Sequence, residues 1–573
     1  MSWPNETAGN RRNAYPIGLA AALLGGLTFL AHGSALQGHW RIDDTLVLLY
    51  IVEHPDAFGH FFSPGQWQSL SAPFFTPWLV LDYWLDYKLF GLNPLAFYAH
   101  HLIFVWLAAV LTFVLLLRHV GWFWAGVAAC LFLIGSPMAV VSQQLQARHY
   151  ATGLVSAILS IMFWQQARIS GRRPMLALAT ACYLAAMLNK EIFAPLPLVL
   201  LFLDNAPWKH RFKALLPFFL TATLFVVWRW IMLGKLIGGY ANRFHEAGNI
   251  AASLQALPSV FFGDGWQAAA GSMVLLLAAV LLLRQGRRRA MAALIAGFVA
   301  VSLPYLAVGV SMEVINLRFT FLPWWSACTL VALGFGGAYH GARGVPERRD
   351  MFRGASRYLA PLAVALLFSI AAGRGLKAAN DHAVLASEFD AQGRFLWDLD
   401  KAASYVPFGA VSGIPQFQYA TSALKMALLQ AAAPVAIPFT ASAGLLAGNT
   451  SIFLYDPGCR CMRKETPSAS SAAMPSLPLE VAVDRPRNGL TWRFVVPAEA
   501  SCYMLFIDLN ASVQLPCTGE LFYRMPAWLG GSFRFLARTA SGQWVASPPL
   551  LFPGEGQGLK WSSDQVAVSR AAE

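Results

Sequence analysis

A short polar stretch, His39-Trp40-Arg41-Ile42-Asp43-Asp44-Thr45, follows a long apolar run and precedes another, Leu46–Val52. Adjacent carboxylates just beyond a membrane-length segment are costly to desolvate, and they repel unless a cation or a proton is shared. The pair therefore suits a general base, or a base beside a ligand for a substrate hydroxyl or for a divalent metal such as Mg or Mn. The same residues also suit a helix start, since Asp caps well and Leu46–Val52 is apolar with helical spacing. The two accounts are compatible.

Further along, cations stand singly in short, nearly uncharged stretches between apolar runs: Arg148-His149, Lys190-Glu191, and Arg318 just before Phe319. Any one of them could merely snorkel to lipid headgroups. Several converging on one cavity would suit a phosphate or diphosphate at a membrane surface. His149 remains open between a proton relay, a metal ligand and a packed core residue.

What must position these residues is a membrane. Of 573 residues 57% are hydrophobic and 12% charged, whereas a soluble domain carries roughly 25% charged residues. Mean hydropathy is +0.50. The net charge of +13 falls almost wholly on residues 1–372, because the remainder is close to neutral. A basic excess in loops between apolar runs is a topology signal, and nucleic-acid binding is excluded as its meaning.

Spanning takes about 20 apolar residues. Eleven spans are expected, near residues 16–36, 95–117, 122–141, 150–167, 174–188, 192–203, 214–233, 268–283, 290–310, 319–338 and 359–372. The fifth and sixth are short, Pro195 and Pro197 interrupt the sixth, and they meet at Asn189-Lys190-Glu191, as a re-entrant unit would. With the amino terminus inside, every basic cluster falls on the cytoplasmic side, from Arg11-Arg12 to the Arg343–Arg357 group. The first span then reads as an uncleaved signal anchor. The expected organisation is a transmembrane domain, 1–372, with a long first outer loop, 37–94, and an extracytoplasmic domain, 373–573. A bacterial inner membrane suits the Ala-, Arg- and Trp-rich composition.

The first outer loop is rich in aromatic residues, among them Phe58, Phe62, Trp67, Phe75, Tyr83 and Trp84, and is expected to lie in the interface facing lipid chains. In the tail, helical spacing over Leu376–Lys401 precedes a strand, loop and helix over Gly409–Gln430 and a strand at Ser451–Tyr455. A Ser/Pro/Ala linker, Thr466–Pro478, leads to strands at Thr491–Val496, Cys502–Leu509, Ser532–Arg538 and Gln543–Leu551. These predict a small α/β piece followed by a β-sandwich. Cys459, Cys461, Cys502 and Cys517 all lie in this tail, where an oxidising compartment permits two disulfides in any of three pairings. Asn449-Thr450-Ser451 and Asn510-Ala511-Ser512 are glycosylation sequons in a eukaryotic context only.

The order of these elements resembles a known family. Asp43-Asp44 in a long first loop is followed by Phe90-Gly91-Leu92-Asn93-Pro94, His100-His101, Ser136-Pro137, Arg148, Asn189-Lys190-Glu191 and Arg318-Phe319-Thr320-Phe321-Leu322-Pro323. Over roughly residues 37–325 this resembles the GT-C superfamily of polytopic membrane glycosyltransferases, above all protein O-mannosyltransferases and aminoarabinose transferases. Phe319 and Phe321 depart from the pattern, standing where many relatives carry tyrosines. The tail lacks the trefoil or helical-repeat domains of some relatives.

The resemblance implies a sugar donor on a polyprenyl monophosphate and transfer to an acceptor hydroxyl with inversion at the outer face. Asp43 would be the base and Asp44 its orienting partner or metal ligand. Arg148, Lys190 and Arg318 would stabilise the leaving lipid phosphate, and Glu191 would hold Lys190 or Arg148. The acceptor is a glycan, a lipid or a protein. A donor on a diphosphate, a lipid-linked sugar transporter and a non-catalytic assembly scaffold are the competing readings, although the charges sit at span ends and no duplicated halves are visible.

Overall fold

The computed structural model describes residues 14–70, 74–204, 206–235, 248–308, 314–341 and 351–398. Beyond these it describes the segments 404–405, 452–456, 461–465, 479–484, 490–496, 500–506, 511–515, 517–521, 532–539, 544–554 and 556–562, with Leu424 and Cys459. The expected helix within Gly409–Gln430, the Thr466–Pro478 linker and both sequons lie outside the described residues, Leu424 and Ala511-Ser512 excepted.

The chain is a helical membrane protein. Its helices are α1 (Ala14–His32), α2 (Asp44–Glu53), α3 (Gly59–Phe62), α4 (Pro64–Ser69), α5 (Pro77–Phe90), α6 (Pro94–Ile134), α7 (Ser136–Val141) and α8 (Arg148–Ser170). Then follow α9 (Arg173–Asn189), α10 (Leu196–Leu203), α11 (Trp208–Leu233), α12 (Gly248–Phe262), α13 (Trp266–Arg284), α14 (Arg288–Val308), α15 (Phe321–Gly341) and α16 (Met351–Asp398). Helix covers most of the described part of each segment expected to span, and among the described residues six helices are long and apolar enough to cross a membrane. One of those six, α6, is two helices in line. Gly121 breaks it at φ 78°, a left-handed conformation that costs glycine little, where the two expected spans meet. Likewise Gly171, at φ 66°, ends α8 by donating its N–H to the Ala167 carbonyl, and Pro174 starts α9.

Large apolar side chains point outward on α1 (Leu19, Leu23, Leu30) and α11 (Leu216, Leu220, Leu224), with 57–83% of their surface exposed. Bare apolar faces of this extent need lipid rather than water. The first-loop aromatics divide. Phe58 and Phe62 are exposed, but Trp67, Phe75 and Tyr83 are wholly buried, and Phe75 packs edge-on against Trp67 and Trp228. Much of that loop is thus core, not the lipid-facing surface its composition suggested, because burying an aromatic ring against α11 removes more apolar area from water than an interface would.

Two compact units result. One comprises Met1–Gly38, Asp56–Gln68 and Ala72–Val384; the other comprises His39–Pro55, Ser69–Ser71 and Leu385–Glu573. The division falls inside α16, between Val384 and Leu385, and it assigns the Asp43-Asp44 segment to the unit that holds the tail. α16 runs continuously over 48 residues, joining an expected span to the expected tail helix.

In the second unit, β1 (Ser404–Tyr405) pairs parallel with β2 (Ile452–Asp456), which pairs antiparallel with β3 (Cys461–Glu465). Nine strands follow: β4 (Glu480–Asp484), β5 (Leu490–Val495), β6 (Ser501–Phe506), β7 (Ala511–Leu515), β8 (Thr518–Leu521), β9 (Ser532–Arg538), β10 (Trp544–Ala546), β11 (Leu550–Leu551) and β12 (Gly558–Ser562). They form antiparallel sheets of order β12-β4-β5-β8 and β10-β9-β6-β7, with β11 also on β9. Val481 lies opposite Phe494 in the first sheet and Met504 opposite Phe535 in the second, and all four share one core. The expected sandwich is present. Cys502 joins Cys517 beside that core, and Cys459 joins Cys461.

Candidate active site

The second unit holds the carboxylate pair. Asp44 is fully buried; its Oδ2 accepts the Arg41 N–H at 2.8 Å, while its own N–H donates to the Arg41 carbonyl at 2.9 Å. This reciprocal pairing closes the turn in the manner of a capping box. Asp43 occupies the N-cap position of α2, yet its side chain makes no capping hydrogen bond; its backbone carbonyl does that work. Its backbone sits at φ −86°, ψ 0°, in the sparsely populated bridge region. Ile42, immediately before it, is at φ 50°, the one non-glycine positive φ among the described residues. A β-branched residue held there is strained by about 1–3 kcal/mol, and such strain persists only where the surroundings over-determine it. The cap account therefore describes the backbone of Asp43, whose half-buried carboxylate takes no part in the cap.

The clamp on this turn comes from far along the chain. Arg41 Nε and Nη2 donate to Asp390 Oδ1 and Oδ2, both at 2.7 Å, and Asp390 Oδ1 also accepts the His39 N–H at 3.0 Å. Among the described residues no three His, Cys, Asp or Glu side chains gather as a closed metal site would need.

The first unit holds the cations. Arg148 is sealed from solvent: Nη1 donates to Asp86 Oδ2 at 2.5 Å, Nη2 donates to the Phe97 carbonyl at 2.7 Å, and Tyr83 and Phe97 cover its plane. His100 Nδ1 meets the other Asp86 oxygen at 2.7 Å. One turn earlier on α5, Asp82 is buried with its Oδ2 unpartnered. Burial pushes its carboxyl up to about 7, against the pull of Arg148 and His100 and with the help of Asp86. Glu191 pairs with Arg229 at 2.6 Å and accepts the Phe75 N–H at 2.9 Å. It serves neither Lys190 nor Arg148, which was the expectation.

Lys190 and Arg318 are placed differently. Lys190 Nζ lies 3.8 Å from the centre of the Phe74 ring and 5.8 Å from that of Tyr150. Arg318 Nη1 donates to Gln144 Oε1 at 3.0 Å, and Gln144 Nε2 contacts His382 Nε2 at 2.9 Å. Both charges reach the buried His149. Among the described residues neither His149 ring nitrogen has a hydrogen-bond partner.

Following these residues in sequence, an apolar cavity of about 150 Å³ opens. Ile192 and Phe193, just after Lys190, line it; so do Leu154 of α8, which follows His149, and Leu322 and Trp325 of α15, which follow Arg318. In each of these three stretches the polar residue thus stands about two to five residues ahead of the lining. Asp82, Asp86, Arg229, Gln144 and Asp390 escaped the sequence reading. For Asp82 and Asp86 a signal existed: two acids one helical turn apart in an otherwise apolar, aromatic helix must share a buried side.

No protein-family model matches the chain, and no curated protein matches it. Among solved structures it is similar to ArnT from Cupriavidus metallidurans bound to undecaprenyl phosphate, at 14% identity and a TM-score of 0.43, over 77% of this chain and 93% of that one. The apo form of that protein matches at 13% identity and a TM-score of 0.40, over 78% and 94%. An Archaeoglobus fulgidus oligosaccharyltransferase, tethered to an acceptor peptide containing the NVT sequon via a disulfide bond, matches at 14% identity and 0.40, over 68% of this chain and 58% of that one.

Proposed function

We propose that this membrane protein is a GT-C-type glycosyltransferase that takes a sugar from a polyprenyl-phosphate donor and passes it to an acceptor hydroxyl at the outer face of the membrane. The observation that carries this reading is the coupling of cations to an apolar cavity. Lys190 and Arg318 each stand just ahead of residues that line the same cavity, so one ligand with an anionic head and a long apolar tail would meet both features. The order of Asp43-Asp44, Lys190-Glu191 and Arg318-Phe319-Thr320-Phe321-Leu322-Pro323 supports it independently.

In this mechanism the acceptor oxygen attacks the anomeric carbon as the bond from that carbon to the phosphate oxygen breaks. The hydroxyl proton passes to the Asp43 carboxylate, and the electron pair of the broken bond leaves with the lipid phosphate. A single displacement inverts the anomeric centre. Lys190 and Arg318 stabilise the charge that grows on the phosphate, acting as fixed cations in a water-poor site. Gln144 fixes the Arg318 guanidinium and Phe74 the Lys190 ammonium, so little reorganisation accompanies the step. Arg148, neutralised by Asp86, contributes by holding α8 to α5 rather than by meeting the phosphate.

Glycan mass analysis of cells carrying wild type, Asp43→Asn or a deletion, at matched membrane levels, tests this. Asp43→Asn and the deletion should lose the same sugar and accumulate the same unmodified acceptor. A wild-type glycan in Asp43→Asn, with a phenotype in the deletion, would remove the catalytic assignment and favour a scaffold or transporter.

A further inference from the structure

We infer that Asp390 is a positioning residue for Asp43, so that the start of the C-terminal region sets the geometry of the catalytic turn. The inference rests on the proposed role of Asp43 as base. Asp390 lies on α16, and both of its carboxylate oxygens are engaged by the segment just ahead of Asp43: two bonds from the Arg41 guanidinium and one from the His39 N–H. The Arg41 side chain is 5% exposed and that of Asp390 16%, so water screens the pair weakly.

A planar guanidinium held by two parallel bonds fixes orientation as well as distance. Arg41 in turn carries the backbone N–H and carbonyl that bind Asp44, and between Arg41 and Asp43 lies only the strained Ile42. An isoleucine at φ 50° relaxes to negative φ unless both sides of it are anchored. One anchor is α2, entered at Asp44. The other is the Arg41–Asp390 pair. Releasing it lets Ile42 relax, and that rotation swings the backbone at Asp43 out of its bridge conformation.

The test uses full-length protein in native membranes and has two readouts. The first is the cellular glycan, measured as above, for Asp390→Asn, Asp390→Glu, Arg41→Lys and Asp43→Asn at matched membrane levels. Asp390→Asn should lower the modified glycan at least tenfold, and Asp390→Glu, which keeps two oxygens for Arg41, should recover most of it. Arg41→Lys keeps the charge but loses the planar fork, and should fail as Asp390→Asn does. The second readout is labelling of Asp43→Cys by a membrane-impermeant maleimide, which should accelerate severalfold when Asp390→Asn is added.

Loss of glycan in Asp43→Asn together with wild-type glycan and unchanged labelling in Asp390→Asn would overturn the inference and leave the transferase reading standing. Equal losses in Asp390→Asn and Asp390→Glu, with labelling unchanged, would also overturn it, showing a general packing role. A wild-type glycan in Asp43→Asn would bring down the base assignment, and with it the positioning role, whatever the labelling shows.

Discussion

Arg148 and Asp86 meet at 2.5 Å with side-chain exposures of 0% and 2%. A cation so enclosed has its charge answered inside the protein, so the proposed phosphate site rests on Lys190 and Arg318. Removing one member of a buried pair strands the other in low dielectric and costs about 3–5 kcal/mol, whereas an apolar pair of similar volume is tolerated. Arg148→Met should therefore unfold at markedly lower temperature in detergent, and Arg148→Met/Asp86→Leu should regain most of the loss. A stable but inactive Arg148→Met would instead return Arg148 to the reaction.

Lys190→Met and Arg318→Gln should each leave membrane levels near wild type and lower the transfer rate by about 10²-fold, the usual effect of removing one fixed stabiliser of transition-state charge. Initial rates of sugar transfer in inverted-free, outward-accessible membrane preparations check this. Equal rates in wild type and both variants would remove the phosphate site from these residues.

Asp82 makes stability depend on pH. Its carboxyl rises from 3.8 to about 7 on burial. The folded state thus holds a proton that the unfolded chain has released throughout that window. The contribution is fully present below 3.8, declines at about 1.4 kcal/mol per pH unit as pH rises, and is lost above about 7. Thermal unfolding in detergent between pH 4 and 7 should show this slope, and Asp82→Asn should flatten it.

The cavity offers a steric test. Ala300 is among its lining residues. Ala300→Trp should fill part of the space and raise the KM for a long-chain polyprenyl donor several-fold, while a donor with a much shorter tail is little affected. An equal effect on both donors would point to general disruption.

Cys502 and Cys517, 15 residues apart, close a loop against the sandwich core. A cross-link over such a span stabilises by about 3 kcal/mol. Reduction, or Cys502→Ala with Cys517→Ala, should expose the C-terminal strands to limited proteolysis, and mass spectrometry of the fragments would report it.

The sequence by itself determined the membrane class, the helical segments, the sandwich strands β5, β6 and β9 to β11, though not β4, β7, β8 or β12, and the polar residues worth watching. Each of these rests on a local property: hydropathy summed over a span, alternation along a strand, or a charge where solubility does not call for one. Even the break at Gly121 is local. The partners were not. Arg148 finds Asp86 across 62 residues and Arg41 finds Asp390 across 349. No periodicity links such positions, because which cation meets which carboxylate depends on helix packing. Only the tertiary structure decided that Glu191 serves Arg229, that Trp67 and Phe75 face a core rather than lipid, and that Asp43 keeps its carboxylate clear of the cap it sits on. A charge is written in the chain, but its electrostatic work depends on burial and on the neighbours that folding brings within about 4 Å.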